Sequence, residues 1–204
     1  MPTLLLASTN RGKLREIQAL LSEAHLILLT PDLLEIALDV VEDGTTYAEN
    51  AALKALAFAR ASGLPTLADD SGLEVDCLNG EPGLRSARYA PQPGATDAER
   101  RLYLLAKLSG RPRPWKARFR CTVALARPDG KIFLAEGACE GEVIPQERGQ
   151  DGFGYDPIFL IPLLGLTMAE LSMDEKNRLS HRARAVMAAL PEIRRQLQLE
   201  ENIR

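Results

Sequence analysis

No apolar run in the 204-residue sequence reaches the ~18 residues that a membrane helix requires, which leaves no candidate span and no membrane partner. The opening MPTLLLASTN has no basic stretch ahead of its short apolar run, so it reads as a buried first strand rather than a signal peptide. Basic charge is not in excess either. Lys and Arg number 25 against 28 Asp and Glu, a net charge of -3, which excludes a protein that coats nucleic acid through a basic face. A local basic pocket stays open. Cysteine is scarce: Cys77, Cys121 and Cys139 are odd in number and far apart, so neither a disulfide framework nor a zinc knuckle fits. Three reduced thiols in a cytoplasmic protein fit better. There is no internal repeat and no low-complexity segment. Lysine is rare as well, six against nineteen arginines, so each lysine is worth locating.

What is present is ordinary globular composition, 46% hydrophobic and 26% charged. The length suits one domain or two. Thr3 to Ser8 predicts a strand, Leu14, Ile17, Leu20 and Leu21 a helix, and Leu26 to Leu29 another strand. Thr46 with Glu49 makes a capping box for a helix from Tyr47 to Ser62, stopped by Gly63. Thr66 to Ala68 predicts a short strand that ends in Asp69-Asp70-Ser71-Gly72, with Leu73 to Asp76 extended again. Thr96 and Glu99 open a helix to about Ser109. Lys116 to Arg127 and Lys131 to Val143 flank Pro128-Asp129-Gly130, which predicts an antiparallel hairpin. Pro157 to Ile161 is a further strand candidate. Ser172 and Glu175 cap a short segment, an amphipathic helix follows, and Pro191 opens a last one. The pattern is α/β with both crossovers and hairpins, hence a mixed sheet. It predicts one domain over 1–204 with two lobes and no linker that would separate them.

Five clusters carry chemistry. Ser8, Asn10 and Lys13 stand at a strand end and helix start, where amide groups favour anions. A capped helix with a surface lysine has the same spacing. Glu42, Asp43, Asp69 and Asp70 are hard oxygen donors that suit Mg²⁺ between carboxylate and phosphate. An Asx-type turn before Gly72 explains the adjacent pair equally. Asn50 and Lys54 lie one turn apart on one helix face, which fits a site or a solvated surface. Phe153 sits between Gly152 and Gly154 in a loop, able to offer a ring face to a base or to fill a buried corner. Lys176, His181 and Arg182 surround the start of the C-terminal helix, where Arg182 suits phosphate or carbonyl oxygens and His181 equally suits a cap. Lys13, Lys54 and Lys176, three of the six lysines, all fall within these clusters. Together the cations, acids and presented aromatic describe a metal–nucleotide site.

STNRGK at 8–13, EDGTTYAENAALKA at 42–55, LADDSGLEVD at 67–76, GLRSARYA at 83–90, FGYDPIF at 153–159 and SHRARA at 180–185 resemble the inosine triphosphatase/Ham1 family. The resemblance runs in family order from residue 3 to about 190. It implies a long mixed β-sheet with flanking helices, forming two lobes around a cleft, and a homodimer. It implies Mg²⁺-dependent conversion of ITP, dITP or XTP to the monophosphate and pyrophosphate, with a purine nucleoside triphosphate as substrate and no stable nucleic-acid partner. By motif, Ser8, Thr9, Asn10, Arg11, Gly12 and Lys13 would hold phosphates. Glu42 and Asp70 would bind magnesium, with Asp69 in support, and Asp70 would also accept the proton. Ser71 would contact substrate. Phe153, Gly154, Tyr155, Asp156, Lys176, His181 and Arg182 would complete the nucleotide site, and Lys54 would join Lys13, Lys176 and Arg182 in offsetting the phosphate charge. One departure is Ala183, where the family often has glycine after His-Arg. The related Maf-like pyrophosphatases are expected to open with Ser-x-Ser-x-Arg-Arg, which this chain lacks. A nucleotide sensor without turnover would not need the acids Glu42, Asp69 and Asp70.

Overall fold

The apolar run near the start of the chain is buried on both sides. It forms strand β1 (Thr3–Leu6) of the computed structural model, which describes residues 1–199. Residues 200–204, the end of the domain expected over 1–204, lie outside the described residues. β1 pairs in parallel with β2 (Ile27–Leu29) and with β3 (Thr66–Val75). Strand side chains alternate between faces. Leu4 and Leu6 enter one core, with Ile17 of helix α1 (Arg11–Leu20) and Val186, Ala189 and Ile193 of a C-terminal helix. Leu5 and Ala7 enter another, with Ala51, Ala55 and Phe58 of helix α2 (Tyr47–Ser62). A strand covered on both faces has no position left for polar residues.

The remaining strands are β4 (Trp115–Ala126), β5 (Ile132–Val143), β6 (Phe159–Ile161) and β7 (Leu166–Thr167). One seven-stranded sheet results, in the order β2-β1-β3-β4-β5-β6-β7. β6 is antiparallel to β5 and to β7. Neighbours β4 and β5 are joined by a turn in which the Arg127 N–H donates to the Lys131 carbonyl at 2.9 Å, a connection short enough only for an antiparallel pair. The sheet is therefore mixed, as the alternation of crossover and hairpin patterns predicts. Helices α3 (Asp97–Leu108), α4 (Met173–Leu179) and α5 (His181–Leu197) complete the flanking layers.

The residues group into two compact units. One holds Met1–Asp70, Cys121–Gly137 and the segment from Arg182 onward. The other holds Ser71–Arg120 and Ala138–His181, with its own core of Leu73, Leu104, Leu108, Phe119, Phe159 and Met168. In that core β5 passes close to β6 at Gly141. A Cβ there would meet the Leu160 carbonyl at 2.5 Å and the Phe159 ring at 2.6 Å, so only glycine fits. Among the described residues no helix is long and apolar enough to cross a membrane.

Two predicted breaks are absent. Pro191 does not open a separate helix but lies inside α5. Its missing N–H forfeits one helical hydrogen bond, and the buried Val186, Ala189 and Ile193 on either side hold the helix through it. The strand expected to stop at Ala68 continues to Val75. The Asp-Asp-Ser-Gly sequence has turn chemistry, but pairing within the sheet overrides it. That second difference determines the site.

Candidate active site

Because β3 runs unbroken through the acidic pair, Asp69 and Asp70 point to opposite faces of the sheet. Asp69 shares its face with Leu67, in the core lined by α1 and α5. Asp70 shares its face with Ala68, in the core lined by α2. Two adjacent, chemically identical residues thus meet different partners.

On the first face, Asn10 caps α1, its Oδ1 accepting the Lys13 N–H at 3.1 Å, while Ser8 Oγ accepts the Asn10 N–H at 3.2 Å. Ser8, Thr9 and Asn10 lead into the helix, and Arg11, Gly12 and Lys13 form its first turn. The Lys13 Nζ lies 3.1 Å from Asp69 Oδ2. The same oxygen accepts from Arg182 Nε at 3.2 Å, and Arg182 Nη1 donates to Glu16. Asp69 and Arg182 are each only 1% exposed. Burial opposes the ionised form of Asp69, but Lys13, Arg182 and Lys54 outweigh it and hold the carboxyl well below its ordinary range. The Cys121 thiol, 3.9 Å from Asp69, is pushed far up by burial and by that carboxylate, so it stays protonated.

On the second face, α2 presents Asn50 and Lys54 one turn apart. Lys54 Nζ donates to Glu42 Oε1 at 2.8 Å, and Asn50 Nδ2 donates to Asp70 Oδ2 at 3.0 Å. Burial raises the proton affinity of Asp70 and Glu42 adds to it, against the Asn50 amide, Lys13 and Lys54; the net direction is upward.

The second unit carries the aromatic loop. Asp156 is buried, and its Oδ2 accepts from Lys176 Nζ at 2.6 Å and from the Phe153 N–H at 2.9 Å. A Cβ at Gly152, where φ is +79°, would lie 2.2 Å from that oxygen, so the loop closes only with glycine. Phe153 is half-buried and outside the core cluster, with Lys176 Nζ 5.2 Å from its ring centroid. The next peptide is clamped by α3: Asp97 Oδ2 accepts the Gly154 N–H at 2.8 Å and Arg101 Nη1 donates to the Gly154 carbonyl at 2.9 Å. Tyr155 is buried, its hydroxyl donating to the Ser86 carbonyl at 2.9 Å. His181 stacks on Phe119 at 4.7 Å between centroids, 15° from parallel. Ser71, the first residue of this unit, is half-buried within β3.

A family model described as the Ham1 family matches residues 4–192. The chain belongs to the Ham1 family. A dITP/XTP pyrophosphatase of Desulforamulus reducens is 44% identical over 201 residues, 98% of this chain and 99% of that protein. One from Thermus thermophilus is 49% identical over 190 residues, 91% of this chain and 89% of that one. The structure of a HAM1 protein from Coxiella burnetii superposes with a TM-score of 0.86 at 39% identity, covering 96% of this chain and 100% of that one.

In this Ham1 chain the cations already have partners. Lys13, Lys54 and Arg182 face four carboxylates, Glu16, Glu42, Asp69 and Asp70, within one unit. In that cluster the cations are engaged by carboxylates before any anion arrives. A polyphosphate joining it needs a further positive charge, which a divalent cation supplies. The donor set fits one. Among the described residues no group of three or more His, Cys, Asp or Glu is placed to hold a metal. Mg²⁺ asks for less, since it keeps several waters and takes one or two carboxylates plus phosphate oxygens. Glu42 and Asp70, held by Lys54 and Asn50 of the same helix face, are the carboxylates that would serve as such a pair. The Ham1 resemblance implies Arg182 at the nucleotide; here its fork is occupied by Glu16 and Asp69 in the interior. Glu16 is absent from the sequence reading. Its signal was there: a charged residue beside Ile17, spaced from Lys13 and Leu20 so as to fall on the buried side of α1.

Proposed function

We propose that this chain is a pyrophosphatase of non-standard purine nucleoside triphosphates, hydrolysing ITP, dITP or XTP to the monophosphate and pyrophosphate. The observation that carries the reading is the division of Asp69 and Asp70 between a face pinned by cations and a face shared with Glu42 and α2. The names of relatives 42–49% identical to the chain support it. Lys13 and Lys54, with side chains 17% and 14% exposed, are accessible enough to exchange a carboxylate for a phosphate oxygen. The open amides at the start of α1, beside Ser8, Thr9 and Asn10, add neutral donors. Glu42 and Asp70 would hold Mg²⁺, which when bound would supply positive charge to the phosphates and acidify a water. Asp70 would take the proton as the water oxygen bonds to the α or β phosphorus and the phosphoanhydride bond between monophosphate and pyrophosphate breaks. Asp69 we assign to holding Lys13 rather than to the metal. Phe153 stacks on the base, with Lys176 and Asp156 fixing its loop and His181 behind Phe119. The reading brings with it a homodimer in the cytoplasm, where its substrates arise, with no stable nucleic-acid partner.

A nucleotide panel with Mg²⁺, scored for pyrophosphate and orthophosphate, tests the reaction. Pyrophosphate from ITP, dITP and XTP with little from ATP or GTP is expected; orthophosphate alone, or no preference, overturns the reading. Phe153→Ala should raise KM for ITP and XTP by similar factors, lowering kcat/KM by ~1–3 kcal/mol equivalent, because stacking recognises a ring face and not its edge. The preference for ITP over GTP should survive. A large fall in melting temperature with unchanged KM would make Phe153 a packing residue instead.

A further inference from the structure

Asn50 is 2% exposed, and both ends of its carboxamide are used. Its Oδ1 accepts the Gly44 N–H at 2.8 Å and its Nδ2 donates to Asp70 Oδ2 at 3.0 Å. The orientation of the amide follows from its partners, since a backbone N–H requires an acceptor and an ionised carboxylate requires a donor. Gly44 lies two residues after Glu42 in the acidic loop. A Cβ at Gly44 would come within 2.7 Å of both Asn50 Oδ1 and Glu49 Cβ, so the loop reaches the amide only because residue 44 is glycine. One turn along the same face of α2, Lys54 holds Glu42 itself at 2.8 Å. A single helix face therefore ties the acidic loop at two points and Asp70 at a third. Helices are stiff, and the spacing of Asn50 and Lys54 along α2 sets the spacing of the groups they hold.

We propose that Asn50 is a positioning residue of the reaction: its carboxamide ties the acidic loop to Asp70 and so fixes the placement of the Glu42 and Asp70 carboxylates relative to each other. The inference rests on the pyrophosphatase reading. It predicts that loss of the tie acts on turnover, because displacement of a reacting group by about 1 Å costs on the order of 10²-fold. Substrate affinity rests on other groups.

Two variants separate the tie from packing and from charge. Asn50→Asp keeps an acceptor for the Gly44 N–H but turns an acceptor toward Asp70. Asn50→Ala removes both bonds and adds no charge. Both should lower kcat for pyrophosphate release from ITP by about 10- to 100-fold, with KM within about threefold of wild type. By hydrogen exchange, the Gly44 amide should stay protected in Asn50→Asp and lose protection in Asn50→Ala. A loss confined to KM marks simple repulsion of the triphosphate and overturns the proposal. So does a kcat in Asn50→Asp within about threefold of wild type, or a loss that only follows the unfolded fraction seen by circular dichroism. Wild-type protein run beside them separates the two levels. No pyrophosphate from the wild type overturns the functional reading and this inference with it, whereas active wild type with undiminished variants overturns this inference alone.

Discussion

Asp70→Asn should lower kcat for pyrophosphate release at least ~10²-fold while the protein stays folded. Asparagine preserves the size of the side chain, and its carbonyl still accepts from Asn50 Nδ2, so the contact to α2 survives. What disappears is the charge that would bind metal and the base that would take the proton. Stability should move the other way. Burial raises the proton affinity of Asp70 in the folded state, with Glu42 adding to it, so folding favours the neutral form. A carboxyl raised in this way contributes stability below its unfolded value of ~3.9, and that contribution is lost as pH rises through the higher folded value. At neutral pH and with metal chelated, the Asp70→Asn variant, neutral at this position, should therefore melt no lower than wild type, and slightly above it. Kinetics with Mg²⁺ and melting in chelator, on the same preparation, measure both. A variant within a few-fold of wild-type turnover would remove Asp70 from the chemistry. A variant that melts well below wild type would show that its charge is stabilised in the fold, against the direction deduced from its surroundings.

The parts legible in sequence were those where local chemistry and tertiary packing agree. The bounds of α2 follow from Thr46 and Gly63, which do in the structure what their sequence suggests: the Thr46 hydroxyl accepts the Glu49 N–H and Gly63 closes the helix at φ 69°. The Glu49 carboxylate shifts by one residue, bonding Thr45 rather than Thr46, and the helix start does not move. The boxes at Thr96 and Ser172 form as expected. The hairpin of β4 and β5 follows from its alternation and its Pro-Asp-Gly turn. Failure came where a tertiary partner decides. Asp69-Asp70-Ser71-Gly72 has the composition of a turn, and only the sheet makes it a strand; with the strand comes the separation of the two acids, which composition does not contain. Asn50 was visible as a helix-face neighbour of Lys54, but its link to Asp70 spans twenty residues and two elements. Arg182 was visible as a cation, but its neutralisation depends on Glu16, which is 166 residues away in sequence. The residues of the site were recognisable by type. Which ones touch each other was set by β3 and the helices on its two faces.

Arg182→Met should be the most destabilising single change near the site. The guanidinium is buried between Glu16 and Asp69, and the methionine chain replaces its length but none of its charge. Glu16 then loses its cation from α5, and Asp69 keeps Lys13 without the guanidinium. Removing one member of a buried ionic group costs about 3–5 kcal/mol because the remaining charges stay desolvated. For a chain of this size that is a fall of roughly 6–20 °C in melting temperature. The pH dependence carries the sign. In the wild type burial raises the Asp69 pKa, but Lys13 and Arg182 outweigh it and the net direction is down. A carboxyl lowered in this way contributes stability above its unfolded value of ~3.9, and loses it as pH falls through the lower folded value. Without Arg182 that contribution shrinks, so the gap between variant and wild type should be widest at neutral pH and should close as pH falls below ~3.9 toward the lower folded value. Glu16→Leu with Arg182→Met removes the second stranded carboxylate. The double variant should be less destabilised than the sum of the single ones, since the two side chains share one interaction. Urea unfolding of the four proteins at pH 7 and at about pH 3, below the unfolded value, measures each term. An Arg182→Met variant within about 1 kcal/mol of wild type at pH 7 would mean that the guanidinium is not the counter-charge of this face, and that Lys13 and Lys54 hold Asp69 ionised without it.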